Sequence, residues 1–404
     1  MRNPLKNIGP GALIAAAFIG PGTVTVCTLA GVQFGYGLLW ALTLSIVATI
    51  ILQETAARIG LVTGKGLSQV LRNAFTNPVA RNAILILVLA AIVIGNAAYE
   101  AGNLSGAVLG MEVFYAGDLQ IAGLNLNIWS LIIGVFAFAA LYLGNYKILE
   151  KLFLMLIILM SLSFIITAII TKPDIVEFFK GAFIPSIPAG GILMVMALIG
   201  TTVVPYNLFL HASLVNQKWS GEGDLAFAKK DTMIAVIVGG IVSMCVVLAA
   251  TSINAKSIAN VSDMAVGLEP LYGSLAKYSM TTGMFAAGLT SSITAPLAAA
   301  FVAQGCLGLS EDQKSWKFRA VWMTILVLGI VFSTFGFKPI EVIKFAQVAN
   351  GMLLPIIAGI LIWLANQKAI LGNKTNTRTQ NILSALILII TIALGVISIS
   401  KGFS

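Results

Sequence analysis

The sequence GPGT at residues 20–23 and the sequence GTTVVPYN at residues 200–207 decide the fold of this 404-residue chain. Each stretch places a proline and at least one glycine inside a long apolar segment. Within a helix, a proline removes one backbone hydrogen bond and its ring clashes with the preceding turn. In lipid, the freed backbone groups are tolerated only where they are buried in protein or line a cavity. The two stretches therefore predict two interrupted helices, provided that the surrounding segments lie in a membrane.

The composition places the chain in a membrane. Apolar residues make up 58% of the chain and charged residues 10%, whereas soluble domains carry about 25% charged residues. This composition excludes the soluble globular and the disordered classes. A helix needs roughly 20 apolar residues to cross the hydrocarbon core. On that criterion we predict eleven spans, near residues 8–34, 37–62, 82–110, 127–146, 149–171, 188–216, 232–253, 280–308, 319–336, 340–364 and 381–400.

The two interruptions fall in spans 1 and 6, five spans apart. This spacing is typical of transporters that consist of two inverted five-helix repeats, in which the broken helices meet near the bilayer midplane. We therefore expect one all-α transmembrane domain over residues 1–404, with repeats at 8–171 and 188–364 and an extra helix at 381–400. The alternative is a pair of proline kinks that only assist helix packing.

The distribution of basic residues predicts the orientation. With the N-terminus in the cytoplasm and eleven alternating spans, 17 of the 24 Lys and Arg residues lie on the cytoplasmic side. This bias follows the positive-inside rule for an integral plasma (inner) membrane protein, with the C-terminus outside. It also accounts for the net charge of +9, so we expect the lipid bilayer and no nucleic acid as a partner.

At this point the sequence resembles the Nramp family of divalent metal transporters. GPGT followed by AGVQFGY at residues 30–36 is similar to the family's DPGN and AGAQFGY. VPYNLFLH at residues 204–211 is similar to MPHNLYLH, and AQV at residues 346–348 to SQV. The likeness extends over nearly the whole chain in register. It implies a LeuT-type fold of about eleven helices and transport by alternating access.

The departures from the family pattern concern the metal ligands. The resemblance assigns a metal-binding aspartate and asparagine to span 1 and a methionine to span 6, where this chain has Gly20, Thr23 and Val204. Tyr206 replaces a family histidine. The resemblance leaves four positions for a metal: Gly20, Thr23, Thr201 and Gln347.

The candidate substrate site consists of neutral groups. Its residues are Gly20, Thr23, Thr201, Val204, Tyr206, Asn207, Gln347 and Asn350. Because no thioether is present, soft transition metals lose their preferred ligand. Neutral oxygen donors suit a hard ion that keeps its waters, as Mg²⁺ does. A neutral cavity lined by helix N-termini also suits an anion or a zwitterion.

Three further residues are candidates for a proton or ion pathway: Glu100, Asn103 and His211. In the family an acidic pair on span 3 serves protons, and here that pair is Glu100 and Asn103. An ionisable residue at membrane depth is a functional candidate by default, although a protonated glutamate and a hydrogen-bonded core histidine are the structural alternatives. Glu54 and Arg58, four residues apart on span 2, predict a helix-surface ion pair.

These features predict a secondary transporter for a divalent cation, Mg²⁺ or Mn²⁺-like, with weak or no proton coupling. A transporter of the same fold for a non-metal solute is the main alternative, and a transport-inactive scaffold is a third. The sequence has no phosphate loop, nucleophile elbow or HExxH motif, so we expect neither an enzyme nor a cofactor.

Overall fold

The computed structural model describes residues 19–115, 117–121, 124–144, 147–219, 221–255, 257–310, 312–335 and 337–402. In chain order its α-helices are α1 Pro21–Phe34, α2 Leu39–Thr63, α3 Leu67–Ala74, α4 Pro78–Glu112, α5 Ile128–Leu143, α6 Lys147–Ile170, α7 Ile175–Phe183, α8 Ile192–Thr202, α9 Pro205–Lys218, α10 Leu225–Ala250, α11 Val261–Ala265, α12 Glu269–Tyr272, α13 Ala276–Leu307, α14 Trp316–Thr334, α15 Pro339–Ala365, α16 Lys368–Leu371 and α17 Arg378–Gly402. Short 3₁₀ turns are Glu222–Asp224, Val266–Leu268, Gly273–Leu275 and Gly372–Lys374. Strands β1 Asp118–Ile121 and β2 Leu124–Asn127 form an antiparallel hairpin, in which Asp118 pairs with Asn127.

Within the described residues, nine helical segments are long and apolar enough to cross a membrane. Helix α5 is shorter, at 16 residues. Helix α1 is the described part of span 1, and residues 8–18 of that predicted span lie outside the described residues. The predicted spans agree with the helices to within about four residues, except that α10 begins at Leu225 and not near residue 232.

The second predicted interruption is narrower than the sequence suggests, and of the first only the side that begins at Ile19 is described. Helix α1 begins at Pro21, with Gly20 in an extended conformation. Helix α8 continues through Thr202, and α9 begins at Pro205, so the second break comprises Val203 and Val204. A proline is well suited to the first position of a helix, where its missing N–H would have no partner. Thr23 and Tyr206, which we expect in the unwound segments, are therefore helical.

Glycines allow the helices around the breaks to approach each other closely. A Cβ atom on Gly200 of α8 would lie 2.6 Å from the backbone nitrogen of Gly351 on α15, and one on Gly351 would lie 2.6 Å from the carbonyl oxygen of Met196. At the start of α1, the ring of Pro21 packs against Gly106 of α4. Small residues at helix interfaces are the usual means of close packing in membranes.

The connections that the predicted topology puts in the cytoplasm meet at one end of the bundle. Arg58, near the end of α2, donates to the carbonyl oxygen of Lys374 and to Asn376 Oδ1, both at 2.6 Å. Its Nε lies 3.2 Å from Glu54 Oε1. The ion pair predicted from sequence is present, but the Arg58 side chain is only 8% exposed. It is thus a buried anchor for the segment before α17 and not a surface pair.

Helix α9 packs on α2 through another glycine. A Cβ atom on Gly60 would lie 3.0 Å from the Cα atom of Ala212 and closer still to its carbonyl oxygen. We predict that Gly60→Ala lowers the free energy of unfolding by about 1–3 kcal/mol, because the two backbones must separate. The measurement is thermal unfolding in detergent.

The matched control is Gly395→Ala on α17, where a Cβ atom would meet nothing within 4 Å. This variant should be neutral or slightly more stable, because alanine is the better helix former. Equal losses in both variants would contradict the close approach of α2 and α9.

Candidate functional site

A hydrogen bond between two threonines joins the start of α1 to the end of α8. Thr23 lies in the first turn of α1 and Thr201 in the last turn of α8, and their Oγ1 atoms are 2.8 Å apart. Both side chains are buried. The pairing is possible because α8 stays helical through Thr202, so that the Thr201 hydroxyl faces the start of α1.

Gln347 of α15 lies against the same junction. A Cβ atom on Gly22 would be 2.6 Å from Gln347 Cδ, so the absence of a side chain at residue 22 makes room for the amide. Gln347 is 1% exposed, and its Oε1 atom has no hydrogen-bond partner in the described structure. A buried amide oxygen without a partner is costly, and this oxygen is therefore available to a ligand.

The helix ends add partial charges to the junction. Gly20 and Val204 are the N-caps of α1 and α9, and neither helix has a side-chain cap. The last carbonyl groups of α8 have no partner within their own helix, and the C-terminal end of a helix dipole favours cations. The junction thus offers hydroxyl, amide and carbonyl oxygens together with a few N–H donors.

Two other predicted site residues are buried nearby on the same helices. Asn207, in the first turn of α9, has no partner for either side-chain polar atom among the described residues. Asn350 lies one turn beyond Gln347 and packs towards α4, where its Oδ1 atom is 3.5 Å from the position of a Cβ on Gly95. Its Nδ2 atom also has no partner in the described structure.

Tyr206 and Glu100 point to a different region from the threonine pair. The ring of Tyr206 meets that of Tyr99 on α4 edge to face, with centroids 5.4 Å apart. Glu100 is completely buried, and its Oε2 atom accepts a hydrogen bond of 3.3 Å from Asn103 Nδ2. Its methylene group packs against Gly329 of α14. Asn103 and Glu100 therefore act as one polar pair that faces α13 and α14.

His211 faces α2. Its Nδ1 atom lies 2.7 Å from Gln53 Oε1, and the ring is fully buried. Because the amide oxygen can only accept, Nδ1 carries the proton in this contact. Gln53 is identified by this contact with His211 and by its burial on α2.

The structure thus brings Thr23, Thr201 and Gln347 together and leaves Glu100 and His211 with partners of their own. Within the described part of the chain, no group of three or more His, Cys, Asp or Glu residues could hold a metal ion. Ser292 and Thr25 are buried hydroxyl groups that lack a partner there, and hydropathy gives no signal for either of them.

Comparison with known proteins gives one consistent result. The Nramp family model, "Natural resistance-associated macrophage protein-like", matches residues 11–401. A divalent metal cation transporter, MntH, of Yersinia pestis (strain Pestoides F) is 28% identical over 97% of this chain and 95% of its own. The manganese transporter of Eremococcus coleocola, solved with an aromatic bis-isothiourea compound, superposes with a TM-score of 0.79 at 20% identity, covering 98% of this chain and 86% of that one. A nucleobase–cation-symport-1 family transporter gives 0.58 at 12% identity, covering 98% and 92%. These likenesses confirm the predicted LeuT-type fold.

The threonine contact gives a testable consequence. We predict that Thr201→Val lowers the free energy of unfolding by about 1 kcal/mol, since it removes a buried hydrogen bond between helices without changing the side-chain shape. The control is Thr202→Val, whose hydroxyl bonds only Leu198 of its own helix and whose loss should cost less. Thermal unfolding of the two variants in detergent measures the difference, and a smaller effect at residue 201 than at residue 202 would contradict the junction.

Proposed function

Because the chain belongs to the Nramp family, we propose that it is a secondary transporter of a divalent metal cation. The observation that carries the proposal is the junction of Thr23, Thr201 and Gln347, where neutral oxygen donors from both broken helices and from α15 meet. Its relatives include a divalent metal cation transporter and a manganese transporter. The substrate in this proposal is the ion itself, bound between the two breaks.

The donor set favours a hard ion that keeps part of its hydration shell. Gly20 and Val204 supply neither a carboxylate nor a thioether, so a soft transition metal has no selective ligand here. A small ion such as Mg²⁺ dehydrates reluctantly and binds through its waters to oxygen atoms. Mg²⁺ and Mn²⁺ are therefore the proposed substrates, held at the threonine junction.

Transport by alternating access follows from the architecture in this proposal. The repeats at 8–171 and 188–364 would rock against each other around the fixed site. The N-terminus would lie in the cytoplasm of a plasma (inner) membrane and the C-terminus outside. This sidedness is supported by the distribution of the basic residues.

Proton coupling is weak or absent in this proposal. The aspartate that the family resemblance implies on span 1 is missing at Gly20, and Asn103 and Tyr206 replace an acid and a histidine. The remaining titratable residues, Glu100 and His211, contact Asn103 and Gln53 and not the threonine junction.

Uptake into proteoliposomes tests these statements. We predict saturable uptake of both labelled Mn²⁺ and Mg²⁺, with each ion inhibiting the uptake of the other, because they share hard oxygen ligands. A pH-sensitive dye inside the vesicles should report little acidification during uptake.

Gln347→Leu is the site variant for the same assay and should abolish most of the uptake. Thr202→Val is its matched control, because its hydroxyl bonds only its own helix. Uptake of neither ion would contradict the substrate class. Acidification that accompanies uptake would contradict only the prediction of weak proton coupling.

Restoring two family ligands tests whether the junction is a metal site. We predict that Gly20→Asp with Val204→Met increases Mn²⁺ or Cd²⁺ affinity at least tenfold, or by about 1.4 kcal/mol, because it adds a charge and a soft donor. The backbone accepts both changes, since Gly20 has φ −88° and Val204 has φ −83°. Aspartate is also a favoured N-cap residue.

Calorimetry on the purified protein measures this gain. The matched control is Gly20→Asn with Val204→Leu, which has similar shape but neither charge nor sulfur and should gain little. A folded Asp–Met variant without higher affinity would argue against metal binding at the junction and in favour of a non-metal solute.

A further inference from the structure

A second polar pocket lies between α4, α13 and α14. Asn103 Nδ2 donates a hydrogen bond to the Oε2 atom of Glu100 and not to its Oε1 atom. The Oε1 atom is buried and has no hydrogen-bond partner in the described structure. Ser292 lies between two contacts of α13 with α4, that of Gly288 with Asn103 and that of Ala295 with Asn96, and its Oγ atom is likewise buried and without a partner there.

Pro296 indicates a third oxygen donor on α13. It lies inside α13, and because proline has no N–H, the carbonyl group of residue i−4 loses its helical donor. That residue is Ser292, whose hydroxyl is already without a partner. Asn96 Nδ2 donates to the neighbouring carbonyl oxygen of Ala295 at 2.9 Å.

The surrounding helices close the pocket to lipid and bring no positive charge. Gly329 of α14 packs against the Glu100 methylene group, and Gly288 of α13 lies close to the backbone of Asn103. Glu100 and Ser292 are each 0% exposed. The sequence has no Lys or Arg over residues 82–146, 278–313 or 320–337, and the titratable side chains near Glu100 are the phenols of Tyr99 and Tyr206.

We propose that this pocket binds a monovalent alkali cation of the Na⁺ class. The ligands are Glu100 Oε1, Ser292 Oγ and the Ser292 carbonyl oxygen, and Asn103 orients the carboxylate. A buried carboxyl group is either protonated or paired with a cation. One carboxylate balances one monovalent ion, whereas a divalent ion would leave an excess positive charge.

The proposal assigns Glu100 a role separate from the divalent site at the threonine junction. It extends the proposed function by naming a second ion. The cation neutralises the Glu100 carboxylate and holds α4 and α13 together. A Na⁺ gradient can then support transport in place of a proton gradient.

The test is Na⁺ binding by the purified full-length protein, which needs no transport assay. Thermal unfolding is compared in sodium chloride and in choline chloride at equal ionic strength. We expect Na⁺ to raise the unfolding midpoint by a few degrees, because a ligand that binds only the folded state stabilises it. Binding of labelled Na⁺ should weaken about tenfold in Ser292→Ala, since a hydroxyl contact to a charged ligand is lost.

Glu100→Gln should abolish the Na⁺ effect, and Ser291→Ala is the matched control that should retain it. If Glu100→Gln does not fold, the Na⁺ binding of Ser292→Ala alone tests the proposal.

The proposal would be overturned if Na⁺ had no effect on the unmodified protein. It would also be overturned if the effect persisted in Ser292→Ala and Glu100→Gln. A midpoint that responds to pH but not to Na⁺ would also overturn it and identify a proton as the occupant. Failure of Mn²⁺ and Mg²⁺ uptake with an intact Na⁺ effect would count only against the divalent substrate.

Discussion

A backbone group that loses its helical partner inside a membrane has no water to bond, so a broken helix must be buried in protein. Pro21 and Pro205 impose this condition on the centre of the chain. The Gly200–Gly351 contact brings α15 onto the end of α8, and Gly106 receives the ring of Pro21. These contacts hold the start of α1 beside the end of α8, where the Thr23–Thr201 bond forms. The polar junction is thus a consequence of where the prolines stand.

Much of this architecture is readable from the sequence, because length and hydropathy locate a membrane helix well. The exceptions have clear causes. Helix α10 begins early because its first two turns carry Lys229, Lys230 and Asp231, which a hydropathy criterion assigns to a connection. Helices α3 and α7 and the β-hairpin are too short to register as spans. The pairing of the two five-helix repeats stays a prediction.

The site is less predictable than the fold. Proline and glycine mark the breaks, and the residue types there indicate neutral oxygen ligands. The rotation of each helix about its axis is set by packing, which no local pattern encodes. Glu100 faces α13 and α14 because Gly329 leaves room for its methylene group. His211 faces α2 because Gln53 lies opposite it. Ser292 lies in the GLTSSIT run at residues 288–294, which resembles span 8 of the family, but its role beside Glu100 and that of Gln53 beside His211 follow only from the packing.

The anchor at Arg58 has a consequence for the eleventh helix. The predicted repeats end at residue 364, so α17 is formally an appendage. Arg58 nevertheless donates to Lys374 and Asn376 just before α17 begins, and Lys374 Nζ in turn lies 3.6 Å from Glu222 Oε2 in the loop after α9. Without these acceptors, a buried guanidinium would retain Glu54 but lose two of its strongest hydrogen bonds. The C-terminal segment therefore stabilises the end of α2. A chain shortened before residue 366 would be incompletely folded and would not be a minimal transporter.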